Sequence, residues 1–246
     1  MISLPHITPD WPAPQNVRAA VTTRVGGVSV GCYSSLNLGS HVGDDPAAVA
    51  ENRRRVERAL KLPRTPTWLD QVHGTNVVEA GEYEEPPTGD ASFGTRPGVV
   101  CAVLTADCLP VLLCDDQGGG VAAAHAGWRG LGEGVLSETV QTLGFAPERL
   151  LAWLGPAIEP SAFEVGDEVR EHFVNRDPRF AEAFERNMRR RWQADIYALA
   201  RVELRRLGVE RIYGGGFECF ADHERFFSYR RDKQTGRMAT MIWLSQ

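Results

Sequence analysis

Apolar residues in this chain gather in short runs separated by glycine, proline and aspartate. VVCAVL (99 to 104), PVLLCD (110 to 115) and GVAAAHA (120 to 126) follow one another at the centre. Apolar runs this short suit strands covered on both faces. Val17 to Thr22, Leu150 to Leu154, Arg211 to Tyr213 and Met238 to Leu244 read as further strands. Thr67 to Gln71 and Asn76 to Ala80 read as short strands on either side of VHGT. Helical signals differ in kind. Asp45 can cap, Pro46 suits a first turn, and Val49, Val56 and Leu60 share one face of the segment that follows. Helices are also expected over Gly132 to Leu143, Gly166 to Val174 and Ala194 to Leu207. The irregular alternation predicts an α+β single domain, residues 1 to 246, with a mixed sheet.

Two polar stretches break the pattern. TRVGGVSVGCYSSLNLGSHVGDD is rich in Gly and Ser and reads as loop. Glu82 to Gly98, EYEEPPTGDASFGTRPG, reads as a long functional loop.

Composition narrows the class. With 246 residues, 43% hydrophobic and 24% charged, the chain can bury a sizeable core without staples. The five cysteines (Cys32, Cys101, Cys108, Cys114 and Cys219) are an odd number with no framework spacing, as expected of free thiols in a reducing compartment. No apolar run approaches a membrane span, and the opening MISLPHITPDWPAP does not read as a secretory signal. A cytoplasmic location is expected, with no membrane partner. The net charge of −5 gives no pull toward nucleic acid. Arginine far outnumbers lysine, which appears only at Lys61 and Lys233. The run Arg186, Arg189, Arg190 and Arg191 reads as a solvated helix face. Phe217, Phe220, Phe226, Phe227 and Tyr229 read as core near the C-terminus.

Candidate chemistry collects where strands end: Gln71-Val72-His73-Gly74, Thr105-Ala106-Asp107-Cys108 and His125-Ala126-Gly127-Trp128-Arg129-Gly130. Two imidazoles and a thiolate are a competent ligand set for zinc, and the same set attracts copper. The separations, 35 and 17 residues, match no short zinc motif. Hydrogen-bonded turn histidines and a buried cysteine are the plainer alternative. A third reading makes Cys108 a nucleophile activated by His125, with Asp107 orienting the histidine and backbone amides of HAGWRG holding an oxyanion. Cys108 precedes a break at Pro110, whereas Cys101 and Cys114 sit inside strands and read as core. His6, His172 and His223 read as solvated, and neither TTRVGGVSVG nor HAGWRGLGEG is a phosphate loop.

Six motifs in order make a more specific pattern: TTRVGGVSVGCYSSLNLGSHVGDD, DQVHG, TADCLPVLL, AAAHAGWRG, GPAIEPSAFEVG and ERFFSYRRDKQTGRMATMIWL. Together they resemble the laccase-domain (multicopper polyphenol oxidase-type) family, over about Thr22 to Leu244. The resemblance implies a layered α/β/β/α sandwich, similar to the catalytic domain of the cytotoxic necrotizing factor toxins. It implies zinc-dependent purine nucleoside phosphorylase activity on adenosine, inosine or guanosine, and methylthioadenosine as a further candidate, with adenosine deaminase side activity. It places the family's metal ligands on His73, Cys108 and His125, and nucleoside or phosphate contacts on Arg24, Asn37, Gln71 and Arg129.

The chemistry suits these residues in part. Guanidinium matches phosphate bidentately, which fits Arg24 and Arg129, and the amides of Asn37 and Gln71 can bond sugar hydroxyls or base edges. Zinc nucleobase deaminases carry HxE and PCxxC motifs, and this chain has HAG and DCLP in their places. Deamination would therefore need another acid/base, for which Asp107 is nearest. Two alternatives remain: a Cys/His amide hydrolase acting in peptidoglycan precursor editing, and the copper-dependent polyphenol oxidase of the older name. Six histidines are few for a multicopper centre. The partners expected are a purine nucleoside and phosphate, with the chain a monomer or weak homodimer.

Overall fold

The structure is a computed structural model that describes residues 4–245; the first three residues of the N-terminal segment discussed above, and residue 246, lie outside it. The strands are β1 (His6–Ile7), β2 (Val17–Thr22), β3 (Val77–Glu79), β4 (Ala91–Gly94), β5 (Val100–Thr105), β6 (Leu109–Asp115) and β7 (Val121–Ala126). They continue with β8 (Leu150–Leu154), β9 (Glu164–Val165), β10 (Phe184–Arg186), β11 (Trp192–Ala194), β12 (Arg211–Gly214) and β13 (Met238–Leu244). The α-helices are α1 (Pro46–Leu60), α2 (Trp128–Glu133), α3 (Val135–Leu143), α4 (Asp167–Val174), α5 (Ile196–Arg206) and α6 (Tyr229–Asp232).

Two sheets stack face to face. The first runs β1-β2-β13-β5 with every neighbour antiparallel. The second runs β12-β8-β6-β7-β4-β3 and is mixed: β12 with β8 and β4 with β3 are parallel, the other pairs antiparallel. Val21, Cys101, Val103 and Ile242 of the first sheet meet Leu112, Cys114, Val121 and Leu151 of the second in one buried layer. The outer face of the first sheet packs Ala102, Leu104 and Met241 against Val56 of α1. The outer face of the second packs Val111, Leu113 and Ala124 against α3 and α5 through Leu136, Val140, Leu199 and Leu204. The result is the α/β/β/α layering, and it explains why the central runs are apolar throughout: β5, β6 and β7 are buried at every position. Among the described residues no helix is long and apolar enough to cross a membrane.

Local signals set most boundaries. Asp45 caps α1 by accepting from the Ala47 amide at 3.0 Å, and Asp195 caps α5 by accepting from Ala198 at 2.9 Å. That second cap shortens the expected Ala194 to Leu207 helix, because Ala194 is already spent as the last residue of β11. The expected Gly132 to Leu143 helix is two helices, α2 and α3, divided at Gly134 with φ +104°. Thr67 to Gln71 makes only isolated bridges, Thr67 to Cys101 and Asp70 to Thr88, rather than a strand.

Two expectations are overturned. Glu82 to Gly98 is not loop throughout, since its residues Ala91–Gly94 form β4, paired on both sides inside the second sheet. The arginine run is not a helix face. Arg186 ends β10, and Asn187 closes a hairpin turn by accepting from the Arg189 and Arg191 amides at 3.0 Å each. This hairpin belongs to a third, small antiparallel sheet, β10-β11-β9. Of the C-terminal aromatics, Phe226 and Phe227 are core, Phe217 and Phe220 are half-buried, and Tyr229 is 53% exposed.

Candidate metal and catalytic centre

The second sheet delivers the candidate ligands to one point. β7 carries His125 one residue before its end, and Leu109 at the start of β6 lies opposite Ala126. Cys108, immediately before β6, therefore faces the end of β7. Gly127 makes this approach feasible. A Cβ there would stand 3.0 Å from Cys108 Sγ and 2.9 Å from His73 Cδ2, too close for real side-chain packing. His73 occupies the turn before β3 with φ +61°, a left-handed conformation uncommon outside glycine. Its Nε2 lies 3.8 Å from Cys108 Sγ, and its ring meets that of His125 edge-on, 4.8 Å between centroids.

A residue with no sequence signal holds this arrangement together. Asp90, fully buried in front of β4, accepts from His125 Nδ1 at 2.8 Å. The same carboxylate accepts from the amides of Val72 (3.2 Å), His73 (3.0 Å) and Gly74 (2.7 Å). It thus fixes both the His73 turn and the His125 ring. With Nδ1 donating to a carboxylate, the neutral form of His125 carries its lone pair on Nε2. Burial would raise the Asp90 pKa, but the hydrogen bond and charge of His125 and the turn amides outweigh it and the group is held low.

Electrostatics single out the same trio. Burial pushes the Cys108 thiol up, yet the charge of His125 and the close approach of both imidazoles prevail and favour the thiolate. Burial pushes His125 down, and Cys108 and Asp90 reverse that in favour of the cation. The donor atoms of His73, Cys108 and His125 all lie within 4.8 Å of one another, and they are the metal-capable cluster among the described residues. Tetrahedral zinc with one sulfur and one nitrogen ligand spaces those two atoms by about 3.5 Å. Two imidazoles and a thiolate at these separations fit a transition metal ion and leave a position open to substrate.

Other sequence candidates lie around this centre in different states. Asp107, 8% exposed with φ +92°, accepts from the Arg230 amide at 2.6 Å through Oδ2, while Oδ1 has no partner. Burial raises its pKa. Gln71 clasps the backbone of Leu104, donating to its carbonyl at 2.9 Å and accepting from its amide at 2.7 Å. Asn37 is fully buried and fully engaged. It donates to the Gly39 carbonyl and Asp44 and accepts from the amides of Gly39 and Arg237, which leaves no free donor or acceptor. Arg24 donates to the carbonyls of Ser34 and His223 at 3.0 Å each and lies over the Phe227 ring. Arg129 is exposed and stacks on Trp128 at 5.0 Å. His6, His172 and His223 are exposed, in line with their reading as solvated.

Comparison with known proteins places this centre in a context. The chain is 56% identical to a Pseudomonas aeruginosa protein named purine nucleoside phosphorylase, over 97% of this chain and 98% of that protein. It is 55% identical to purine nucleoside phosphorylase YfiH of Escherichia coli K12, with the same coverage. A crystal structure from Neisseria meningitidis superposes with a TM-score of 0.95 at 51% identity, covering 98% of this chain and 99% of that one. One from Bacillus licheniformis superposes at 0.87 with 28% identity, covering 93% and 92%. A family profile described as multi-copper polyphenol oxidoreductase laccase matches residues 18–245. With the profile spanning nearly the whole chain and relatives this similar along their full length, the protein belongs to the laccase-domain family.

Proposed function

We propose that the chain is a purine nucleoside phosphorylase that holds a zinc ion on His73, Cys108 and His125. The observation that carries the reading is the His-Cys-His cluster in a chain 55% and 56% identical to relatives bearing that name. A bound zinc ion would supply positive charge beside a substrate oxygen or nitrogen. Adenosine, inosine and guanosine are the substrates proposed, with methylthioadenosine a further candidate. The chain would act in the cytoplasm as a monomer or weak homodimer. In the reaction a phosphate oxygen bonds to C1′ of the ribose, and the bond from C1′ to the base nitrogen breaks. The base leaves with that electron pair and takes up a proton. Asp107, whose pKa burial raises, would handle a proton here and in adenosine deamination as a side activity. Gln71 would present its remaining donor and acceptor to the nucleoside, and Arg129 its free guanidinium to phosphate.

A second reading draws on the alignment of Asp90, His125 and Cys108. Carboxylate, imidazole and thiol in this order are the parts of a thiol hydrolase, which would act on an amide such as that of a peptidoglycan precursor. The copper oxidase reading is weaker, because one mononuclear cluster is found among the described residues. The deciding experiment incubates metal-analysed protein with adenosine, with and without phosphate, and identifies the products. Free adenine and ribose 1-phosphate only with phosphate support the phosphorylase. Turnover of an amide substrate without phosphate, lost on alkylation of Cys108, supports the hydrolase instead.

A further inference from the structure

One arginine beside the centre, Arg237, keeps part of its guanidinium unengaged. Arg237 precedes β13, and Met238 at the start of that strand lies opposite Thr105 at the end of β5. This register sets Arg237 alongside the Ala106-Asp107-Cys108 segment. Its backbone is pinned twice, the amide donating to Asn37 Oδ1 at 2.9 Å and the carbonyl accepting from the Leu38 amide at 3.2 Å. Its stem passes over Gly39, where a Cβ would come within 2.8 Å of Arg237 Cγ. The buried amide of Asn37 thus positions the arginine.

The guanidinium itself is only partly used. One terminal nitrogen donates to the carbonyls of Thr235 and Gly236 at 3.0 Å each. Among the described residues its Nε and other terminal nitrogen make no hydrogen bond, and no carboxylate lies within ion-pair distance. Some half-buried arginines of this chain are paired with carboxylates, Arg176 with Glu203, Arg206 with Asp177 and Glu203, Arg231 with Asp232. Others, Arg24, Arg53 and Arg230, donate Nε or terminal nitrogens to backbone carbonyls. The unengaged Nε and terminal nitrogen of this half-buried side chain form one edge of the guanidinium fork, the edge that matches two oxygens of an anion from solution. Burial lowers the Arg237 pKa, and Cys108 and Asp107 are near enough for their charges to oppose that. With a divalent ion on one thiolate the cluster is net positive, so it and Arg237 would favour the same anion.

We propose that Arg237 binds the inorganic phosphate used in the reaction, presenting Nε and one terminal nitrogen to two phosphate oxygens. The assignment rests on the phosphorylase reading for its substrate. It displaces Arg24 as the principal phosphate contact, because Arg24 already spends Nε and one terminal nitrogen on carbonyls.

The test uses the metal-loaded protein with Arg237→Lys and Arg237→Met, both checked for metal content. The KM for phosphate is expected to rise about 10-fold in Arg237→Lys and at least about 50-fold in Arg237→Met, because a point charge replaces only part of a bidentate fork. The KM for the nucleoside stays within about twofold, and metal content is unchanged. A phosphate KM that stays within twofold in both variants, or a nucleoside KM that rises in parallel, overturns the proposal. If Arg237→Met does not fold, Arg237→Lys decides by the same criterion. If the wild-type protein shows no phosphorolysis, the phosphorylase reading fails on its own, and calorimetric titration with inorganic phosphate decides the site. Binding to wild type that is lost or weakened about 10-fold in Arg237→Lys supports the site. Equal binding, or none to wild type, overturns it.

Discussion

A cysteine and an aspartate stand side by side at each end of β6, Asp107-Cys108 just before it and Cys114-Asp115 closing it, and the two ends behave oppositely. At one end Cys114 and Asp115 are fully buried. Asp115 pairs with Arg149 at 2.6 Å and accepts from the amides of Gln117 and Gly119, which ties the turn to β7. Burial, with the charge of Asp115 added, pushes the Cys114 thiol up to about 12, and it stays inert packing. At the other end burial also pushes the Cys108 thiol up, but two imidazoles face it and the thiol moves down. Asp107 beside it keeps one carboxylate oxygen without a partner. Identical residue types therefore differ through what the neighbouring strands bring, β7 a histidine in one case and a glycine-rich turn in the other.

The comparison can be broken by substitution. Cys108→Ala should abolish metal retention and reduce kcat/KM by about 10³ or more, about 4 kcal/mol of transition-state stabilisation. Metal analysis and steady-state kinetics read this, and retention of full activity would sink both the metal and the nucleophile readings. Asp90→Asn should lower metal affinity about 10- to 100-fold by releasing His125 and the His73 turn, measured by competition with a chelator. Gly127→Ala should cost about tenfold in metal affinity with a small change in Tm. Its backbone is ordinary (φ −62°), so any effect comes from the crowding of His73 and Cys108, about 1–3 kcal/mol of overpacking. Cys114→Ala should leave metal and kinetics alone and lower stability by only about 1 kcal/mol, seen in denaturant unfolding. A labelling experiment sharpens the contrast: after chelation, a thiol reagent should modify Cys108 quickly, and Cys101 and Cys114 only on unfolding.

The parts legible from sequence were those whose signal is local. The buried runs of β2, β6, β7, β8 and β13, the Asp45 cap and the ordered motifs around His73, Cys108 and His125 declare themselves within a few residues. Asp90 does not. It stands in TGDAS, among small polar residues, and its importance arises because β4 is inserted between β7 and β3. β4 itself, Ala-Ser-Phe-Gly, has little strand preference of its own and exists by pairing on both sides. Arg237 was equally silent, since a lone arginine after a Thr-Gly turn gives no hint that pairing of β13 with β5 brings it alongside Asp107 and Cys108. The Arg186 to Arg191 run shows the reverse failure: charge predicted exposure correctly, but the Asn187 side chain chose hairpin over helix.

The Asp90 carboxylate has a consequence for how the centre exchanges its ion. Four N–H donors from two distant segments converge on it, and none of those bonds involves a metal. The socket is thereby assembled by folding alone, so an ion would enter a finished receptacle rather than knit one together. Loading and stripping should then be reversible on the folded chain, with the empty protein keeping its near-ultraviolet circular dichroism and melting as a single cooperative unit.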